Sequence, residues 1–226
     1  KLSASFYMGD DVVYARMKER YQSSTETDKS YMKLRYNWGN LFAALNYEHR
    51  FNGRMYNTTQ LSFTRYKYKL GVGQEYEYKD KEEYEREEMG MEYDSYIMDV
   101  MAQTNFEWRP NPRHEVHFGG GYTYHMFRPQ VGRMGYVVEI DTTAQKMDTT
   151  FSIGRTHHTH ELNLYIEDTY TPCHWFKMNA GLHATLYHAD GRFFPSIEPR
   201  LGMRFLPHKD VAIKMSYAYM SQYVHM

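Results

Sequence analysis

The chain has a single cysteine, Cys173, which excludes an internal disulfide framework and any multi-cysteine zinc site. No run approaches the roughly 20 consecutive apolar residues of a membrane-spanning helix, and the mean hydropathy is negative. A helical membrane protein is therefore excluded. A transmembrane barrel is not, because only every second residue of its strands faces lipid. Charge is nearly balanced, with a net of −1, so bulk charge makes no case for a nucleic-acid partner. No charged n-region followed by an apolar h-region stands at Lys1, so no signal peptide is expected. No Gly-x-Ser-x-Gly elbow is present, no nucleophile, base and orienter can be assembled, and neither an enzyme nor a cofactor is expected. Gly119-Gly120-Gly121 lacks the Lys-Ser/Thr of a phosphate loop. Inside a strand such a triplet marks a bend or a close backbone approach.

Aromatic residues are abundant, with 23 Tyr and 12 Phe, and these types suit pleated, half-buried surfaces. They sit in period-two alternation, which places every second side chain on one face. Leu2, Ala4, Phe6 and Met8 alternate with Ser3, Ser5 and Tyr7, and Leu41, Ala43, Leu45 and Tyr47 with Asn40, Asn46 and Glu48. Farther on, Leu162, Leu164 and Ile166 oppose Glu161, Asn163 and Glu167. About nine strands are expected, one at the start and others near 38–50, 54–69, 95–109, 113–127, 158–168, 175–188, 194–205 and 210–223. Asn52-Gly53 signals a hairpin, and Pro110-Asn111-Pro112 ends a strand because neither proline can donate to a ladder.

The connections sort by side. Those at 51–54, 109–113, 168–174 and 206–210 are short, whereas 10–37, 70–94 and 128–157 are long and polar, and 189–193 is brief. Outer-membrane barrels have tight periplasmic turns and longer extracellular loops. Most segments reach the 9–11 residues that a tilted strand needs to cross the hydrocarbon. Aromatics end the apolar faces: Trp108, Trp175, Phe205 and Phe51 near short turns, and Tyr96, Tyr124, Tyr187 and Tyr219 near the other ends, the pattern of two interfacial girdles. The fold class expected is all-β, a transmembrane antiparallel β-barrel segment. A large soluble β-sandwich is the alternative, since inward aromatics would show the same period. An open set of about nine strands leaves two unpaired edges, and unsatisfied backbone groups are costly in lipid. Since the chain also starts and ends within alternating segments, further strands are expected to flank it.

Candidate ligand-binding residues are few. Arg155–Glu161 holds His158 and His160, two apart on one strand face, and Glu161; imidazole is a common metal ligand, yet no zinc spacing matches, and a polar rim with no metal is expected. The polar faces would place His125 and Glu161, with Glu115, His117, Glu167, Lys177, His183, Glu198, Arg200, Arg204 and Lys214, in a lumen, packed against a plug. Residues 75–94 carry ten acidic and three basic side chains; they could hold calcium, but a solvated, partly mobile loop is expected. The first long connection carries Arg16, Lys18, Arg20, Lys29 and Lys33 and could meet outer-membrane lipid and anionic lipopolysaccharide.

Three stretches carry a resemblance: WGNLFAALNYEHRFNGRMYNTTQLSFTRYKY at 38–68, FEWRPNPRHEVHFGGGYTYHMFRP at 106–129, and the run from Leu164 to Met226 that includes KMNAGL, IEPRLG and KMSYAYMSQYVHM. Together they resemble barrel segments of Bacteroidetes TonB-dependent receptors, including those with a carboxypeptidase-regulatory-like domain, and they cover most of the chain outside the long connections. The resemblance implies a barrel of about 22 strands around a plug, energised by TonB, with the plug and the TonB-contacting motif outside this sequence and a surface lipoprotein as a further partner. The expected function is import of a scarce ligand through a plugged outer-membrane barrel of a Gram-negative bacterium. A passive porin or adhesin-like barrel without energy coupling is the alternative.

Overall fold

The computed structural model describes residues 1–23, 26–79, 84–140, 143–152 and 155–223. Ten strands form one antiparallel sheet: β1 (Leu2–Gln22), β2 (Thr27–Asn52), β3 (Met55–Lys79), β4 (Tyr84–Asn111), β5 (His114–Ile140), β6 (Thr143–Ser152), β7 (His157–Cys173), β8 (Phe176–Ala189), β9 (Arg192–His208) and β10 (Val211–Ala218). Hydrogen bonding runs in chain order from β1 to β10, except that β6 pairs only with β5. Nine strands thus make the continuous path, as the alternation implies. A single sheet is not a sandwich, and among the described residues β1 and β10 each pair on one side only.

The long connections 10–37, 70–94 and 128–157 are not loops. β1 and β2 pair without interruption from Leu2–Tyr47 to Gln22–Thr27, β3 and β4 from Met55–Trp108 to Lys79–Tyr84, and β5 and β6 from Val131–Ser152 to Ile140–Thr143. β4 reaches 28 residues, roughly 90 Å at the usual rise of a strand, about two and a half to three times the roughly 9–11 residues of a tilted bilayer crossing. β5 changes partner midway: His114–Phe127 pairs with β7, and Val131–Ile140 pairs with β6. The sheet therefore continues past the shorter β7–β10 part as an extension built from β1–β6.

Tight turns close the opposite end at Gly53-Arg54, Pro112-Arg113, His174-Trp175 and Lys209-Asp210. The Asn52 and Asn111 side chains accept the backbone N–H groups of Arg54 and Arg113 at 2.8 and 2.9 Å. The two-residue turn with both residues at positive φ lies elsewhere, at Asp190-Gly191 (46° and 76°), the pairing that a type I′ hairpin favours.

Alternation sorts the two faces as the sequence implies. Ala4, Leu45, Leu61, Ala102, Tyr122, Leu162, Leu186 and Pro195 form one cross-strand row. The opposite face carries rows such as Asn105–Gly119–Tyr165–His183–Glu198. All the charged side chains assigned to a lumen, from Glu115 to Lys214, share that polar face. Crowding differs sharply: Leu164 is 57% exposed and Ile197 65%, against 4% for Glu198 and 6% for Thr185. A sheet curled toward its polar side crowds that side and splays the other, so the polar face is the concave one.

The glycine triplet follows from this packing. A Cβ on Gly119 would strike the Thr104 carbonyl and sit 3.0 Å from the Asn105 Cα, and one on Gly120 would lie 2.6 Å from Leu164 Cδ2. The approach seen here is that of the neighbouring strands β4 and β7. The girdle expectation needs one correction. Phe51, Phe106 and Phe118 stack along the convex face near the short turns, where Trp175 packs edge-on against Phe205 at 5.4 Å. Tyr187, however, is buried on the concave face, because it pairs with Glu161 and Phe194.

Candidate functional site

On the concave face, where β5 parts from β7, lies a hollow of about 570 Å³, within the usual range of ligand pockets. β4 contributes Ile97 and Asp99, β5 His125 and Phe127, β7 His157 and Thr159, β8 Tyr187, and β9 Phe194. Residues after β10 close it: Tyr219 N–H donates to the Pro199 carbonyl at 3.1 Å, and Tyr223 stacks on Tyr187 with ring centroids 4.6 Å apart. Tyr223 also donates its hydroxyl to the Phe194 carbonyl at 3.0 Å. Asp99 Oδ1 lies 2.8 Å from His125 Nδ1, and Asp190 approaches His157 to 4.0 Å. Flat aromatic walls beside carboxylate–imidazole pairs can hold a partly apolar ligand that presents hydrogen-bond donors or positive charge.

Nearer the short turns the concave wall is ionic. Glu198, with Arg200 at 3.5 Å and His183 at 3.4 Å, is almost fully covered. Glu107, Glu115 and His117 bring ligand atoms within 4.8 Å of one another, but Arg109 reaches both carboxylates at 2.7 Å. A guanidinium already supplies the positive charge there, and the cluster reads as an ion-pair network.

The four candidate ligand residues separate. His125 and Glu161 lie on the concave face, His125 in the hollow and Glu161 opposite Thr123 and Tyr187. His158 and His160 share the convex face, where their Nδ1 atoms lie 2.6 Å from the Tyr124 hydroxyl and 2.7 Å from the Tyr122 hydroxyl. With His188 and Phe193 they form the aromatic belt at this end.

No protein-family model matches the chain, and no curated protein matches it. Solved structures do. The FrpB iron transporter from Neisseria meningitidis is 10% identical over 99% of this chain and 47% of its own, with a TM-score of 0.43. A mutant of the ferric enterobactin receptor PfeA from Pseudomonas aeruginosa is 7% identical over 96% and 43%, at 0.40. FpvAI in its complex with pyocin S2 is 8% identical over 94% and 42%, at 0.39. The chain spans less than half the length of these structures.

Sequence reasoning missed Asp99, Tyr187 and Tyr223. Asp99 was within reach, because the register that sets Trp108 against Val116 also sets Asp99 against His125. Tyr223 carries no such signal, since it lies beyond the paired residues. The acidic stretch 75–94 is paired strand rather than loop where it is described, and several of its carboxylates have cation partners. Glu75 is held by Lys33 at 2.6 Å and Arg86 at 2.9 Å, Glu77 by Lys29 at 2.8 Å and Asp94 by Lys69 at 3.6 Å. Its residues 80–83 lie outside the described residues.

Proposed function

We propose that this chain is part of the wall of a TonB-dependent outer-membrane transporter of a Gram-negative bacterium, of the Bacteroidetes type, importing a scarce ligand through a plugged barrel. The observation that carries the membrane reading is the two-sidedness of a single sheet. Its convex face leaves Leu162, Leu164, Ile166, Leu182 and Ile197 exposed, bounded by aromatic and histidine belts, and among the described residues no second layer covers them. Exposure of that extent is unfavourable in water and suits lipid. The concave face, lined by His125, Glu161, His183 and Glu198, suits a polar lumen and its plug. The resemblance of segments 38–68, 106–129 and 164–226 supports the transporter over a passive pore, with TonB, the chain's own plug and a surface lipoprotein as partners.

The test uses the full-length protein. It is expected to fractionate with the outer membrane, to migrate as a heat-modifiable barrel, to show no steady conductance in a planar bilayer, and to form a TonB crosslink through its upstream region. A large steady conductance without a TonB crosslink would instead establish the passive porin.

A further inference from the structure

The extension inverts the polarity of the wall below it. Its face continuous with the concave side carries the apolar row Ala15–Leu34–Val72–Met91–Met134, and next to it Met17–Met32–Gln74–Met89–Tyr136. Met89-Gly90-Met91 sets two thioethers on one face of β4, and Met134 of β5 stands directly opposite Met91. Directly opposite residues of an antiparallel pair lie roughly 5 Å apart and diagonal ones roughly 7–8 Å. Three flexible thioether side chains therefore share one patch, and all three are half-exposed.

Charge separates across the same sheet. Beyond the Ala15 row, every described Lys and Arg of β1–β5, among them Arg16, Lys18, Lys33 and Arg86, falls on the convex face. The charged residues on the methionine face there are carboxylates: Glu19, Asp28, Glu85 and Glu87. Glu87 lies two residues from Met89, and Tyr136, the cross-strand partner of Met89, donates its hydroxyl hydrogen to Glu87 Oε1 at 3.2 Å. A face of one sign concentrates ions of the other.

The donor atoms narrow the ligand. Thioether sulfur is a neutral, soft donor that selects Cu(I) over hard divalent ions. Hard cations need several converging oxygens, and among the described residues such a group stands elsewhere, at Glu107, Glu115 and His117. An apolar partner would be served equally by leucine and has no use for a face without cations. The single cysteine lies at the far end of β7, beside a short turn, so no thiolate competes.

We propose that Met89, Met91 and Met134 form a binding site for a soft monovalent cation, Cu(I) or Ag(I), on the inward face of the extension. The three sulfurs coordinate the ion, while Glu87 and the carboxylates around it draw it in and balance its charge. The site goes beyond the transporter reading and does not depend on it.

The test adds Ag(I), or Cu(I) kept reduced by ascorbate, to the full-length protein in detergent and counts bound ions by native mass spectrometry, with Zn(II) as the comparison. Expected are one Ag(I) or Cu(I) held per chain, no Zn(II) held, and sulfur neighbours around copper in X-ray absorption. M89L/M91L/M134L keeps volume and apolar character and should lose that ion. M178L/M203L/M215L, which removes a methionine row of the convex face, should keep it. If the first triple variant does not fold, as judged by heat-modifiability, M91L alone should bind Ag(I) roughly 10-fold more weakly. Undiminished binding by a folded M89L/M91L/M134L or M91L, loss in the convex variant instead, or copper ringed by nitrogen and oxygen alone would overturn the site. A protein that binds the ion but is absent from the outer membrane sinks the wall reading and leaves this site standing. One that reaches the outer membrane and binds no Ag(I) sinks this site alone.

Discussion

Tyr165 donates its hydroxyl hydrogen to Asn105 Oδ1 at 2.9 Å across the bare backbone of Gly119. The bond ties β7 to β4 over the intervening β5, and it exists because Gly119 has no side chain. Any Cβ there meets the Thr104 carbonyl and the Asn105 Cα, both backbone and unable to swing aside. In the full-length protein, Gly119→Val should therefore cost about 1–3 kcal/mol by overpacking and lower the heat-modifiable fraction. Tyr165→Phe forfeits one hydrogen bond, about 1 kcal/mol, and should still assemble. Normal assembly of Gly119→Val would show that the strands do not close on one another as described.

Adjacent residues of β7 lie on opposite faces of the sheet. Leu164 is exposed on the convex face, opposite Gly120 and Ala184, while Asn163 lies on the concave face between Gly121 and Thr185. An arginine on the lipid side near midplane costs about 2–4 kcal/mol, and a lumenal one costs little. Leu164→Arg should impair outer-membrane assembly far more than Asn163→Arg, scored as folded protein per cell. Equal damage would contradict the register of the whole β5–β9 region.

What the sequence made legible is what periodicity controls. Leu164 and Glu198 fall on the faces that alternation assigns, and the short turns at Gly53 and Pro112 lie where Asn-Gly and Pro-Asn-Pro place them. The hairpin extensions were hidden because Lys29, Lys33, Glu75 and Glu77 crowd one face with charge and read as a polar connection, although Ala15, Leu34, Val72, Met91 and Met134 form an apolar row on the other. Their pairing is held by backbone ladders and cross-strand charge pairs, which show only once the register is known. The site was legible in part. His125 was placed in the lumen by parity, but His158 and Glu161, three residues apart, necessarily face opposite ways on a strand. Tyr187 followed its neighbours' alternation onto the concave face, where an aromatic near a strand end need not belong to a girdle.

The extension should loosen in acid. Lys33, hydrogen-bonded to Glu75, and Arg86 beside it hold that carboxyl below its ordinary value of 4.5. A carboxyl with a lowered folded-state pKa contributes stability that is fully present above 4.5 and is lost as pH falls through the folded value. Hydrogen exchange in residues 69–79 and 84–94 should therefore be pH-insensitive in stability between 6 and 7, after correction for intrinsic rates, and rise below about pH 4.5. Glu75→Gln should remove most of that acid response while loosening the hairpin at neutral pH. An unchanged acid response in the variant would assign it to other carboxylates.

The three histidine candidates and Tyr187 can be divided by one growth assay. Deleting the gene identifies a condition in which growth requires the protein, and point variants of the full-length chain are then compared there at equal amounts of folded barrel. Tyr187→Ala strips the aromatic wall that Tyr223 stacks on, and His125→Ala removes the partner of Asp99, so both should slow growth several-fold by weakening ligand capture in the hollow, a loss of about 1–2 kcal/mol each. His158→Ala and His160→Ala face outward and lose a hydrogen bond to Tyr124 or Tyr122 with the ring contacts beside it. They should leave growth unchanged and lower the unfolding temperature slightly, consistent with about 1 kcal/mol per bond. The opposite pattern, with growth lost in the outward-facing variants and kept in the concave ones, would move the ligand site from the lumen to the rim.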